Sequence, residues 1–190
     1  MDRSPADLAR RFDRLYRGGL RASLRKMAIG VALRAEGNAK LRATQRMKVR
    51  SGRLRNSISG STLDTVNGLE VRLSAGGRSG GRDVRYAGIQ EHGGTITPVK
   101  GRFLTYPVHP SLFTAAGVLR FPSARMVPNL RYDGTGKKPV LRSTITGEVF
   151  YVLLRQIKIS PKRYLRDGLQ EAAKNLPIDF DRAVKEALYG

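Results

Sequence analysis

Cysteine is absent from this chain of 190 residues, and histidine occurs only twice. The first absence removes disulfides, thiolate metal sites and cysteine nucleophiles, and it suits a protein made in a reducing cytosol. The second leaves little for imidazole chemistry. No run approaches the roughly eighteen apolar residues of a membrane-spanning helix, so no membrane partner is expected. The opening "MDRSPADLARRFDRL" is charged throughout and lacks the apolar middle of a signal peptide. Acidic residues are also scarce: 15 Asp and Glu face 36 Lys and Arg, a formal charge of +21. Residues 1–55 hold 16 basic and 4 acidic side chains, so the excess is concentrated at the start. Such a field favours polyanions, whether nucleic acid or an acidic protein surface.

The pattern along the chain predicts an α+β fold within one domain, 1–190. Residues 1–48 read as basic helices. Ser4, Pro5 and Asp7 form a helix start, and Leu8, Phe12 and Leu15 follow as an apolar stripe. Gly18-Gly19 ends or bends the helix. A second helical run carries Leu20, Leu24, Met27, Val31 and, less regularly, Leu41 on its apolar side. Its other faces hold Arg21, Arg25, Lys26, Arg34, Arg42 and Arg46, which are the candidate contacts to an anionic partner or to DNA.

An antiparallel sheet is expected over 56–106 and 148–160. Asn67-Gly68 is a hairpin signal between β-favouring runs. A two-residue turn there places Asp64 on the face of Leu69, Val71 and Leu73, so that face is partly wet or the loop is longer. The glycine-rich 74–85 reads as a mobile connector, without the Gly-Lys-Ser/Thr ending of a P-loop. "EVFYVLLRQIKIS" (148–160) reads as a central, covered strand. Residues 107–147 hold five of the nine prolines and little periodicity, and are expected to be a long inserted arm. Over 161–190, C-terminal helices carry Leu165, Leu169, Ala172 and Leu176, then, past a break at Pro177, Phe180, Val184, Ala187 and Leu188.

The stretch "RYAGIQEHGGTITP" (85–98) pairs Glu91 with His92. Adjacent residues diverge on a helix or strand, so the pair is poorly placed for joint acid–base work. Neither histidine belongs to a zinc motif, and no nucleophile elbow occurs. No catalytic, metal or cofactor-binding residue is assigned, and no enzymatic activity is expected. His92 with Gly93-Gly94 reads as a pinned backbone bend.

Three segments carry a resemblance. Ser51, Gly52, Leu54, Arg55, Ser57 and Ile58 form the first; Tyr86, Ala87, Glu91, His92, Gly93 and Gly94 the second; Pro161, Arg163, Tyr164 and Leu165 the third. In this order they resemble the tail-completion, or virion-morphogenesis, proteins of long-tailed bacteriophages. The resemblance implies a non-enzymatic structural protein of the virion neck or tail, assembled in the host cytoplasm. It would be a homo-oligomeric ring, expected to be hexameric, between neighbouring neck and tail proteins and around the DNA channel. The long arm would reach a neighbour. Channel DNA would be contacted without sequence preference. An over-tight lining would impede DNA exit, so an acidic protein surface is the preferred partner for part of the charge. The alternatives are a tail terminator ring and a sequence-independent nucleic-acid-binding protein.

Overall fold

The computed structural model describes residues 5–47, 52–66, 68–79, 82–99 and 101–189. Ser4, Ser51 and Asn67 lie outside them. Helices at both ends enclose antiparallel strands, so the class is α+β. The chain divides into two compact units. One is drawn from Met1–Lys48, Gly52–Glu91 and Lys162–Gly190, the other from Val49–Ser51 and His92–Pro161.

The first unit is organised by one long helix. Helix α1 (Pro5–Arg14) runs through a π-helical turn, Leu15–Gly19, into α2 (Leu20–Arg46). The glycine pair therefore bends the helical path without ending it: Gly18 takes φ +95°, outside the α region. A short helix α3 (Arg53–Asn56) leads to the hairpin β1 (Ser59–Thr65) and β2 (Gly68–Ser74). In the register Thr65↔Gly68, Gly68 already belongs to β2 and is not part of the turn as expected. Asp64 does share the inward face with Leu69, Val71 and Leu73, at its wet end. The glycine-rich stretch is not a bare connector: β3 (Arg78–Ser79) and β4 (Arg82–Asp83) pair across it. Helix α4 (Ala87–His92) follows, and α5 (Tyr164–Ala173) and α6 (Leu176–Tyr189) complete the unit.

Its core is built from small residues. On α2 the buried side chains are Ala28, Val31, Ala32, Ala35, Ala39 and Ala43, while Leu41 stays exposed. On α5 they are Tyr164, Gly168 and Ala172: of the expected stripe Ala172 is buried and Leu165 packs half-buried against the core, while Leu169, and Leu176 at the start of α6, are exposed. Leu8 and Phe12 of α1 are exposed as well. Alanine and glycine let backbones approach closely, and here close approach decides which face is inside. A side chain at Gly60 would collide with the Ala32 carbonyl, so the hairpin lies directly on α2. Glu36 of α2 fixes that contact by accepting the Gly60 N–H at 2.9 Å. Pro177 starts α6 rather than interrupting a helix, as its fixed φ allows in a first turn.

The second unit replaces the expected arm. Strands β5 (Gly94–Ile96) and β10 (Ile157–Ile159) pair antiparallel. Between them β6 (Leu104–Pro107), β7 (Leu130–Asp133), β8 (Val140–Ser143) and β9 (Val149–Leu154) form a sheet in the order β6-β9-β8-β7. Strand β9 is central, as expected, but the predicted long strand breaks at Arg155-Gln156 and serves two sheets. Residues 107–147 are thus folded, around a core of Leu112, Val127 and Tyr151. Strands of four residues joined by Pro- and Gly-marked turns are too short to show a period, which is why this body reads as irregular.

Candidate interaction surfaces

Residues of all three sequence motifs meet in the first unit. Gly52, at φ +67°, precedes α3, and Leu54 then packs with Ala39, Ala43, Ile58 and Tyr164. Ser57 Oγ donates to the Leu54 carbonyl and accepts the Gly76 N–H. Arg55 is exposed and Tyr86 partly so. The Tyr164 hydroxyl, wholly buried, donates to the Ala87 carbonyl at 3.2 Å. Burial, and then the nearby Glu91 and Tyr86, push its pKa up to about 12.

Glu91 is the centre of this junction. It is 5% exposed, and its carboxylate accepts the N–H of Leu165 at 2.8 Å and of Arg166 at 3.0 Å. Those are first-turn donors of α5, which no local side chain caps: the N-cap position is Arg163, in the left-handed region at φ +49°. Main-chain bonds from Lys162 N–H to the Gln90 carbonyl and from Arg163 N–H to the Glu91 carbonyl hold the approach. The carboxylate therefore serves as a helix cap from α4. The His92 ring is exposed. In the second unit Gly93, at φ +72°, runs beside Ile159 and Pro161: an added methyl would lie 2.8 Å from the proline ring. The backbone bend at Gly93-Gly94 is real, with Gly94 at φ +150°.

All six candidate cations have acidic partners inside the subunit. Arg21 and Arg25 converge on Asp64 at 3.4 and 3.6 Å, and Lys26 meets Glu186 at 2.6 Å. These three side chains are mostly exposed, and such surface pairs contribute about 0–1 kcal/mol, so a polyanion could displace them. Arg34, Arg42 and Arg46 are internal ties. Arg34 bonds both oxygens of Asp179, and Arg42 meets Glu171 at 3.6 Å. Arg46 spans Asp167, at 2.6 Å, and the Lys162 carbonyl, at 2.7 Å. Sequence reading took them together as contacts to an anionic partner; their acidic partners lie far along the chain and left no local signal.

The outward side of α2 carries an apolar row, beside Lys26 and Thr44. Ile29, Leu33, Gly37 and Leu41 recur every fourth residue, opposite the buried alanines, with Gly30 beside them. Ile29, Leu33 and Leu41 are 45%, 62% and 58% exposed. A methyl group at Gly30 or Gly37 would meet nothing within 4 Å.

His109 lies in the second unit, stacked on Phe150 with ring centroids 4.3 Å apart. Nδ1 engages the Ser111 hydroxyl at 2.7 Å and accepts the Ser111 N–H, while Nε2 faces Glu148 at 3.4 Å. The Ser–His–Glu sequence of contacts is local, and its geometry is that of a cap: the ring closes the 3-10 turn Pro110–Leu112. Among the described residues no group of three His, Cys, Asp or Glu could hold a metal ion, and no helix is long and apolar enough to cross a membrane. No protein-family model, curated protein or solved structure matches the chain.

Proposed function

We propose that the chain is a structural virion protein of a tailed bacteriophage, a tail-completion or neck subunit that closes into a ring between head and tail. The motif order supports the family reading. The observation that carries self-association is the outward face of α2. A glycine inside a helix costs about 1 kcal/mol relative to alanine, and Gly30 and Gly37 meet nothing inside the subunit in return. Set among exposed Ile29, Leu33 and Leu41, they make a ridge with hollows into which a neighbour's side chains fit. A ring uses two different surfaces per subunit. Exposed Ile178 and Phe180 of α6 and Phe12 of α1 supply further apolar area for the second.

Light scattering on nuclease-treated, full-length protein at two salt concentrations tests this. A closed oligomer, or a monomer that forms rings with neck and tail proteins of the same virion, is expected. Leu33→Glu should dissolve either. A monomer that stays monomeric with those proteins present, or an oligomer indifferent to Leu33→Glu, sinks the reading.

A further inference from the structure

The second unit carries charge that has no internal partner. Residues 92–161 contain ten Lys and Arg but only two acidic residues, Asp133 and Glu148. Both acids are occupied. Asp133 accepts from the Thr135 hydroxyl, from Arg142 Nε at 2.7 Å and from the Thr135 N–H, which together hold its carboxyl well below the usual range. Glu148 faces His109 and accepts from the Thr146 hydroxyl at 2.9 Å.

Beside the Asp133 turn lies a groove of about 480 Å³. By folding the β7–β8 turn, Asp133 presents Lys137 and Lys138 on one side; Arg102 and Arg155, flanking β6 and β9, stand among the other lining residues. All four are exposed, and among the described residues no carboxylate lines the groove and none of the ion pairs engages any of the four. Leu153 and Pro139 give it an apolar floor. Tyr132, 61% exposed, also lines it, with its ring laid along Gly134, where a methyl would come within 2.7 Å of the hydroxyl.

We infer that this groove binds single-stranded nucleic acid, with Arg102, Lys137, Lys138 and Arg155 on the phosphodiesters and a base stacked on Tyr132. A duplex buries its bases and would leave the tyrosine and the apolar floor unused. An acidic peptide would satisfy the cations but has no planar face for the ring. An unpaired strand uses both parts, which is how sequence-tolerant single-strand sites are built. The inference stands apart from the ring proposal, since it rests on a different unit and a different observation.

The test is fluorescence anisotropy of a labelled oligothymidylate with the nuclease-treated full-length protein across a salt series. The Lys137→Ala/Lys138→Ala double variant should bind at least about tenfold more weakly, and its log–log salt slope should shrink by about 1.4, the share of two phosphate contacts on a single strand. Tyr132→Ala should lose roughly 5- to 160-fold with the slope unchanged. Lys174→Ala/Lys185→Ala, exposed on the other unit, should bind like the parent. Arg155→Gln gives an independent reading of the same groove should a loop variant melt early. The inference is overturned if the parent does not bind at low salt, or if the groove variants bind as it does. It is equally overturned if unlabelled duplex or polyglutamate competes as well as the unlabelled single strand.

Discussion

A methyl group on Gly168 would lie 2.7 Å from the backbone nitrogen of Ala39. Helix α5 therefore rests closely on α2, and nothing larger than hydrogen fits at position 168 of the crossing. Gly168→Ala should lower stability by about 1–3 kcal/mol in denaturant titrations, overpacking outweighing the gain in helix propensity. Gly37→Ala is the opposite case. It should stabilise the dilute subunit by about 1 kcal/mol while weakening self-association measured by light scattering.

Replacing Glu91 by Ala strips two first-turn donors of α5 of their acceptor at a buried position. The expected cost is about 2–3 kcal/mol, between a lost cap and two unmet buried N–H groups. Glu91→Gln should cost less, because the amide oxygen still accepts. Both follow from chemical unfolding. Hydrogen exchange should show faster exchange at Leu165 and Arg166 before the rest of α5. A Glu91→Ala protein as stable as its parent would remove the carboxylate from its capping role.

Tyr164 makes stability depend on alkaline pH. Its pKa rises from 10.0 to about 12 on folding, so between those values the unfolded chain has released a proton that the folded chain retains. The unfolded state then binds fewer protons, and stability falls as pH rises through that window. Tyr164→Phe should start less stable by about 1 kcal/mol, having left the Ala87 carbonyl without its donor, and should lose less on going above pH 10. Urea unfolding at pH 8, 10 and 11 measures both slopes.

The second unit has its own core, and limited proteolysis should register it. Residues 107–147 are expected to survive in the isolated subunit under conditions that clip exposed turns. Leu112→Ala, at a fully buried position, should make the segment susceptible, at a cost of about 2–5 kcal/mol. Rapid cleavage throughout 107–147 in the parent would contradict the fold.

Helices at both ends, the first hairpin and central β9 are legible because each is long enough to display its period or its turn chemistry. What sequence hid was which side of each helix is inside. Leucine carries more apolar area than alanine, so Leu41 and Leu169 look like core; packing by contact between backbones reverses that order, burying Ala39 and Gly168 instead. The ion pairs of Arg34, Arg42 and Arg46 and the cap from Glu91 join positions far apart in the chain, and no local pattern encodes such meetings. The last left no trace at all: the sequence reads as helical from Pro161, and only the structure shows that α5 starts at Tyr164, behind an Arg163 that supplies no side-chain cap.

The pairing of Gly94–Ile96 with Ile157–Ile159 has a consequence for descent. Those two strands zip together the entry and exit of everything between them, so length added or lost beyond the zip alters closure entropy only logarithmically. The stretch they bracket can behave as a cassette, gaining, shedding or exchanging whole hairpins over generations while the alanine-packed helices inherit no obligation to change with it.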